Sequence, residues 1–336
     1  MVDWELAVRI GSRISGDGPE VTPAQAADAV AELRADAERS TGLVRDFTGL
    51  DAPADTAPVL VVDRRGWMRA NAESFGVLME PLGDVLAKKG GRTGALTAKV
   101  AGAELGGLLG FLSGKVLGQF DPFHAPHGRL LLVAPNVVHV EREIEADPTD
   151  FRLWVTLHEE THRVQFTATP WLGDHLLEQV RALAATMESG SILDDGLKRV
   201  SEAVRNAGSG GSLVDLVSTD EQRAIIDRVT GVMSLLEGHA DVVMDGVGPE
   251  VIPSVARIRA AFTKRRQGVG VLDKLLRRLL GLDAKMAQYR DGAVFVRHAV
   301  DAVGMEGFNA VWSGPEQLPS KAEIADPQRW VERVHG

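Results

Sequence analysis

The chain has 336 residues, with 37 Lys and Arg against 47 Asp and Glu (formal charge −10), nine His, one Tyr and no Cys. Its length and 44% apolar content are those of a globular protein that buries a sizeable core, which excludes a largely disordered chain. Lack of Cys excludes disulfides, thiolate metal sites and cysteine nucleophiles, so any metal must be held by His, Asp or Glu. The acidic balance argues against nucleic acid as a partner.

The N-terminus, Met1-Val2-Asp3-Trp4-Glu5-Leu6, carries acids where a signal peptide needs a basic start, so a cytoplasmic location is expected. Pro23 opens an Ala-rich amphipathic helix to about Arg39, and Pro58–Asp63 reads as a short strand. The apolar run Leu105–Gly114 is bounded by Glu104 and Lys115, far short of the roughly 20 residues a membrane span needs, so no stable membrane insertion is expected. Across Leu96–Phe120, Gly102, Gly106, Gly110, Gly114 and Gly118 recur at every fourth position. On a helix that stripe lets another backbone approach closely, which offsets the cost of helical glycine. Arg129–Ala134 reads as a second strand, running through Pro135-Asn136 into Val137–Val140 as a further strand or hairpin.

Asp147-Pro148-Thr149-Asp150 supplies a cap, a proline at the first helical position and an acid in the first turn. The helix it starts should run to about Thr169, where Pro170 stops it. Further helices are read at about 172–188, 220–245, 253–266, 271–290 and 292–303. Asn206–Ser212 is a Gly/Ser-rich linker. The expected fold class is mainly α with a small β-sheet (α+β). Residues 1–336 form one unit, or two lobes of about 1–205 and 213–336 joined by the linker 206–212.

One motif carries chemistry. His158-Glu159-Glu160-Thr161-His162 places two His four apart, one helical turn above each other, so both imidazoles can meet one cation. Glu159 can then reach a water on that cation and act as general base. At this His and acid content, chance predicts only about 0.03 such matches in the chain. Trp154, Val155, Leu157, Val164 and Phe166 make the helix partly buried, and a buried His needs a partner.

A catalytic zinc ion takes three protein ligands and keeps an open position. Glu237, in Leu235-Leu236-Glu237-Gly238-His239-Ala240-Asp241, is the leading candidate for the third, with His239 the second choice because it points to another face. Asp241 shares the Glu237 face and could hydrogen-bond the far nitrogen of a ligand His, fixing its tautomer.

With these residues the sequence resembles the zincin metallopeptidases, and Glu237-x-x-x-Asp241 is similar to their gluzincin branch, in which the Glu is the third zinc ligand and the Asp orients a ligand His. The 74 residues separating His162 from Glu237 depart from the shorter spacing of thermolysin-like enzymes. A closer resemblance covers nearly the whole chain. It is to an actinobacterial zincin-like family described as zinc-dependent metalloproteases or as associated with deazaflavin-coenzyme biosynthesis. It is carried by Val2-Asp3-Trp4, Val62-Asp63-Arg64 with Trp67 and Asn71, Val116–Asp121, His158–Phe166, Pro170-Trp171-Leu172, Glu237–Asp245, Gln288-Tyr289 and Ala325-Asp326-Pro327.

The resemblance implies a zincin-like architecture, one zinc ion held by His158, His162 and Glu237, and hydrolysis of an amide bond in a peptide or protein substrate. Glu159 would act as the base. Tyr or His donates to the oxyanion in many zincins, which makes Tyr289 and His298 candidates; the rival reading of Tyr289 is an ordinary packing residue with a satisfied hydroxyl. The rival reading is a non-catalytic, metal-stabilised scaffold or binding protein of zincin fold. Glu159 favours the enzyme, because a structural site has no use for a general base.

Overall fold

The computed structural model describes residues 2–53, 57–88, 95–189, 219–267 and 282–336. The linker 206–212 and the first part of the helix expected at 271–290 lie outside them. In chain order the elements are α1 (Trp4–Ile14), α2 (Pro23–Thr48), β1 (Val59–Val62), α3 (Arg64–Lys88), α4 (Ala95–Ser113), β2 (Gly118–Asp121), β3 (Arg129–Val133), α5 (Ala134–Glu143), α6 (Pro148–Ala168), α7 (Trp171–Ser189), α8 (Asp220–Val247), α9 (Val255–Gln267) and α10 (Leu282–Phe308). Two short 3-10 turns then lead to α11 (Lys321–Ala325) and α12 (Pro327–His335). The fold is mainly helical with one small sheet. No described helix is long and apolar enough to cross a membrane.

Three strands pair in the order β1-β3-β2, β1 parallel and β2 antiparallel to β3. Every residue of β3 is buried, as a central strand covered on both faces requires. β2 is an edge strand whose alternate side chains serve opposite faces. Gln119 faces α3, accepting from Trp67 Nε1 (2.8 Å) and exchanging amide hydrogen bonds with Asn71. Phe120 points the other way and packs on Phe166 of α6, ring centroids 5.5 Å apart. The sheet therefore ties α3 to α6.

Val137–Val140 is helical, not a strand or hairpin. Pro135 pre-sets the first turn of α5 directly after Val133, and the short apolar run is compatible with either period. The Asn136 side chain then fixes the corner by donating to the carbonyls of Ser113 and Val116, both at 2.6 Å. β2 carries little strand propensity and forms because β3 offers it a ladder. α2 runs past the expected Arg39 because Val44 and Thr48 are still buried beyond Gly42, and it ends where Gly49 turns left-handed at φ 67°.

Of the glycine stripe, Gly102, Gly106 and Gly110 lie in α4. A Cβ at each would stand 2.5, 2.6 and 2.8 Å from the carbonyl oxygens of Asp3, the N-cap of α1, and of Ala7 and Gly11 within α1. The stripe is thus a helix–helix contact too close for any side chain. Gly114 and Gly118 fall beyond the helix, Gly118 in β2. Gly106→Val is expected to lower stability by about 1–3 kcal/mol through overpacking, read as a lower denaturant midpoint at unchanged metal content. An unchanged midpoint would mean the two helices separate freely.

A second glycine contact brings α10 onto α8. A Cβ on Gly292 would lie 1.9 Å from Ser234 O, and one on Gly238 would lie 2.1 Å from Gly292 C. The helix runs unbroken through Gly292, where a break at about 291 was expected, and α10 kinks instead at Gly304 (φ 72°). The main apolar cluster runs from Leu33 and Val44 through Phe151, Leu157, Leu235 and Phe295 to Trp330. It therefore draws on elements from both sides of the linker.

Candidate metal centre

α6 floors the site. Asp147 caps it by accepting from the Asp150 backbone N–H at 3.1 Å, and Phe151, Leu153 and Leu157 anchor its buried stripe. Its far flank is tied to α2. Arg163 donates to Glu160 (Nε–Oε1 2.8 Å), and Thr41 of α2 donates to the same carboxylate oxygen at 2.6 Å. Glu160, the second acid of the motif, is fully buried in this network and so serves the packing of α6.

On the open flank, one turn apart, the His158 and His162 Nε2 atoms are 3.3 Å from each other. Glu237 enters from α8, its Oε2 3.5 Å from both Nε2 atoms. Two ligands on zinc bonds of 2.0–2.2 Å in tetrahedral geometry are separated by about 3.3–3.5 Å. The three donor atoms therefore form a triangle the size of one face of a zinc tetrahedron. Among the described residues these three form the group of His and acids able to share one ion.

The charges suit a cation. Burial pushes the Glu237 carboxyl up, but the two imidazoles outweigh it and hold the group well below its ordinary range. Burial pushes His162 down, but Glu237, with help from Glu159 and Gln165, raises it to about 9. In the metal-free protein a proton thus stands where a cation would bind. Glu159 is buried, and β2 abuts it: a Cβ on Gly118 would come within 2.4 Å of Glu159 Cγ. Glycine at 118 leaves room for this carboxylate between strand and helix.

The structure supplies different supports for the ligands than the sequence suggests. Asp241 does not orient a ligand His. Its two oxygens take Arg259 Nη1 (2.9 Å) and Arg297 Nη2 (3.0 Å), from α9 and α10, because those helices bring guanidinium groups to that part of α8. His162 Nδ1 instead meets Gln165 Oε1 at 2.9 Å, and His158 Nδ1 meets Met244 Sδ at 3.2 Å. Gln165 lies three residues after His162, a same-face spacing that could have flagged it; nothing in the sequence singles out Met244.

His239, the reserve ligand, is outside the ligand group. It is fully buried against Phe308 and Trp312, where burial lowers it to about 3 and so keeps it neutral. His298 is exposed and pairs with Gln328 at 3.3 Å, so the structure does not bring it to the centre. Tyr289 lies in α10 one turn before Gly292, and its side chain falls outside the described residues.

Two imidazoles from α6 and a carboxylate from α8 at zinc spacing, with the Glu159 carboxylate also on α6, match a zincin-type metal site. The chain belongs to the zincin-like metallopeptidase family, which it matches over residues 2–331. It is also similar to a crystal structure from Chloroflexus aurantiacus described as a "putative hydrolase with a novel fold". The two share 32% identity and a TM-score of 0.74 over 99% of this chain and 98% of the other. No curated protein matches.

Proposed function

We propose that the protein is a zinc-dependent hydrolase acting on amide bonds of peptides, with Glu159 as general base. The observation that carries the reading is the donor triangle of His158, His162 and Glu237, with the Glu159 carboxylate on the same helix and next in sequence to His158. A bound zinc ion would supply a Lewis acid that lowers the pKa of water toward neutrality and polarises a carbonyl.

The chain's own groups then do the following work. Glu159 accepts the proton that water loses as its oxygen bonds to the carbonyl carbon. It returns that proton to the amine nitrogen as the C–N bond breaks. β2 is the edge strand beside Glu159, and an extended peptide can align with such an edge through its backbone. This favours a peptide over a compact small molecule. The developing oxyanion needs a hydrogen-bond donor, a role we assign to Tyr289 from its place one turn from the α8–α10 contact.

The test is metal removal. Purified protein should hold about one zinc per chain, and hydrolysis of a fluorescence-quenched peptide library should vanish with chelator and return with zinc. Full hydrolysis in the zinc-stripped protein would refute the reading. Zinc binding without hydrolysis of any peptide would leave a metal-stabilised scaffold.

A further inference from the structure

We infer that Gln165 and His239 form a relay that fixes the tautomer and ring orientation of His162, making both of them positioning residues of the metal centre. The inference rests on the metal-centre reading and adds to it the role of a buried histidine that the proposed mechanism leaves idle.

The Leu236 carbonyl can only accept, and it lies 3.0 Å from Gln165 Nε2. The amide nitrogen must therefore face α8, which turns Oε1 toward His162 Nδ1 at 2.9 Å. An amide oxygen can only accept, so the His162 proton sits on Nδ1. Once a cation displaces the Nε2 proton, the Nε2 lone pair is left toward Glu237 and His158.

The second amide proton of Gln165 points at His239 Nδ1, 2.9 Å away. That nitrogen must accept, which places the His239 proton on Nε2. Both ends of the Gln165 nitrogen are then held from α8, and the amide cannot turn over without setting its oxygen against the Leu236 carbonyl.

His239 is an unusual occupant for that place. It is fully buried, with the Phe308 and Trp312 ring centroids 5.5 and 5.4 Å away, and its Nε2 has no hydrogen-bond partner among the described residues. A buried unpaired donor destabilises, whereas an apolar side chain of similar size would avoid that penalty. What an imidazole supplies here and leucine cannot is the Nδ1 acceptor. The Glu237 helix thus grips the His162 helix at the atom that decides which His162 nitrogen is free for metal.

The experiment uses the full chain and zinc alone as ligand, with affinity measured by chelator competition. Gln165→Leu should weaken zinc binding by about 10–100-fold, the size expected for losing an outer partner of a ligand His. His239→Leu should weaken it by about tenfold at equal or higher thermal stability, since it relieves the unpaired donor. His239→Asn, which offers an amide oxygen near the Nδ1 position, should recover most of the affinity. A merely structural role predicts the reverse order, with leucine harmless.

If either leucine variant fails to fold, long-range ¹H–¹⁵N NMR of the wild-type zinc-loaded protein decides. It should show His162 protonated at Nδ1 and His239 at Nε2. His239 protonated at Nδ1, or zinc affinity unchanged within twofold in both leucine variants, overturns the relay while leaving the centre in place. Failure of the wild type to bind zinc overturns the centre itself.

Discussion

Glu159→Gln is expected to keep its zinc and to lose about 10²–10⁴-fold in kcat on peptide, the range that one general acid–base group contributes. The amide is nearly the same shape as the carboxylate, so it fits the space between α6 and Gly118 that a Cβ at 118 would close. It cannot take up a proton from water. Since Glu159 is not one of the three atoms in the donor triangle, metal content should not change. Parallel measurement of zinc by mass spectrometry and of kcat on a quenched peptide separates the two effects. A variant that keeps both zinc and rate would remove Glu159 from the mechanism.

Glu237→Gln is expected to cost more than the 10–100-fold in zinc affinity typical of an outer partner, because it removes a ligand charge. The carboxylate is 6% exposed, stands at equal distance from two imidazoles, and is the acid that joins them in the donor group among the described residues. A second readout comes from the metal-free protein. His162 there is raised from 6.5 to about 9, so the stability it gains from Glu237 is fully present below pH 6.5 and is lost as pH rises toward 9. Glu237 is lowered from 4.5, so its own contribution holds above pH 4.5 and is lost as pH falls below it.

The metal-free wild type should therefore lose denaturant resistance from pH 6.5 to 9, and metal-free Glu237→Gln should lose much less. Equal slopes in the two proteins would show that the pair is not coupled in solution. Unchanged zinc affinity in the variant would move the third-ligand role away from Glu237.

Much of this centre is legible in the order of residues, because its chemistry is local. Two His four apart on a capped helix must share a face, and an acid between them completes a hydrolytic pattern wherever the chain folds around it. Glu237 is legible for a different reason: a carboxylate among Leu235, Leu236, Val242 and Val243 has little solvent face and needs a buried cation. The helix start was equally readable at Asp147-Pro148, where the cap acts within a few residues.

Other features depended on which elements meet. Asp241 shares a helical face with Glu237 by spacing, yet Arg259 and Arg297 claim it, and their arrival from α9 and α10 is a property of packing. β2 has weak propensity of its own and exists because β3 stands beside it. Val137–Val140 suits strand or helix, and Pro135 together with the Asn136 contacts settles it.

Absence of cysteine and the His-x-x-x-His spacing already confine any zinc to imidazole and carboxylate, since ligand chemistry and helical pitch are properties of neighbouring residues. How the second helix approaches was decided in three dimensions. Glycine against glycine at Gly238 and Gly292 lets α10 seat on α8, and the Leu236 carbonyl and His239 ring then meet Gln165. Such contacts join residues more than 50 positions apart, and backbone approach between them is set by the whole packed core, which no local pattern encodes.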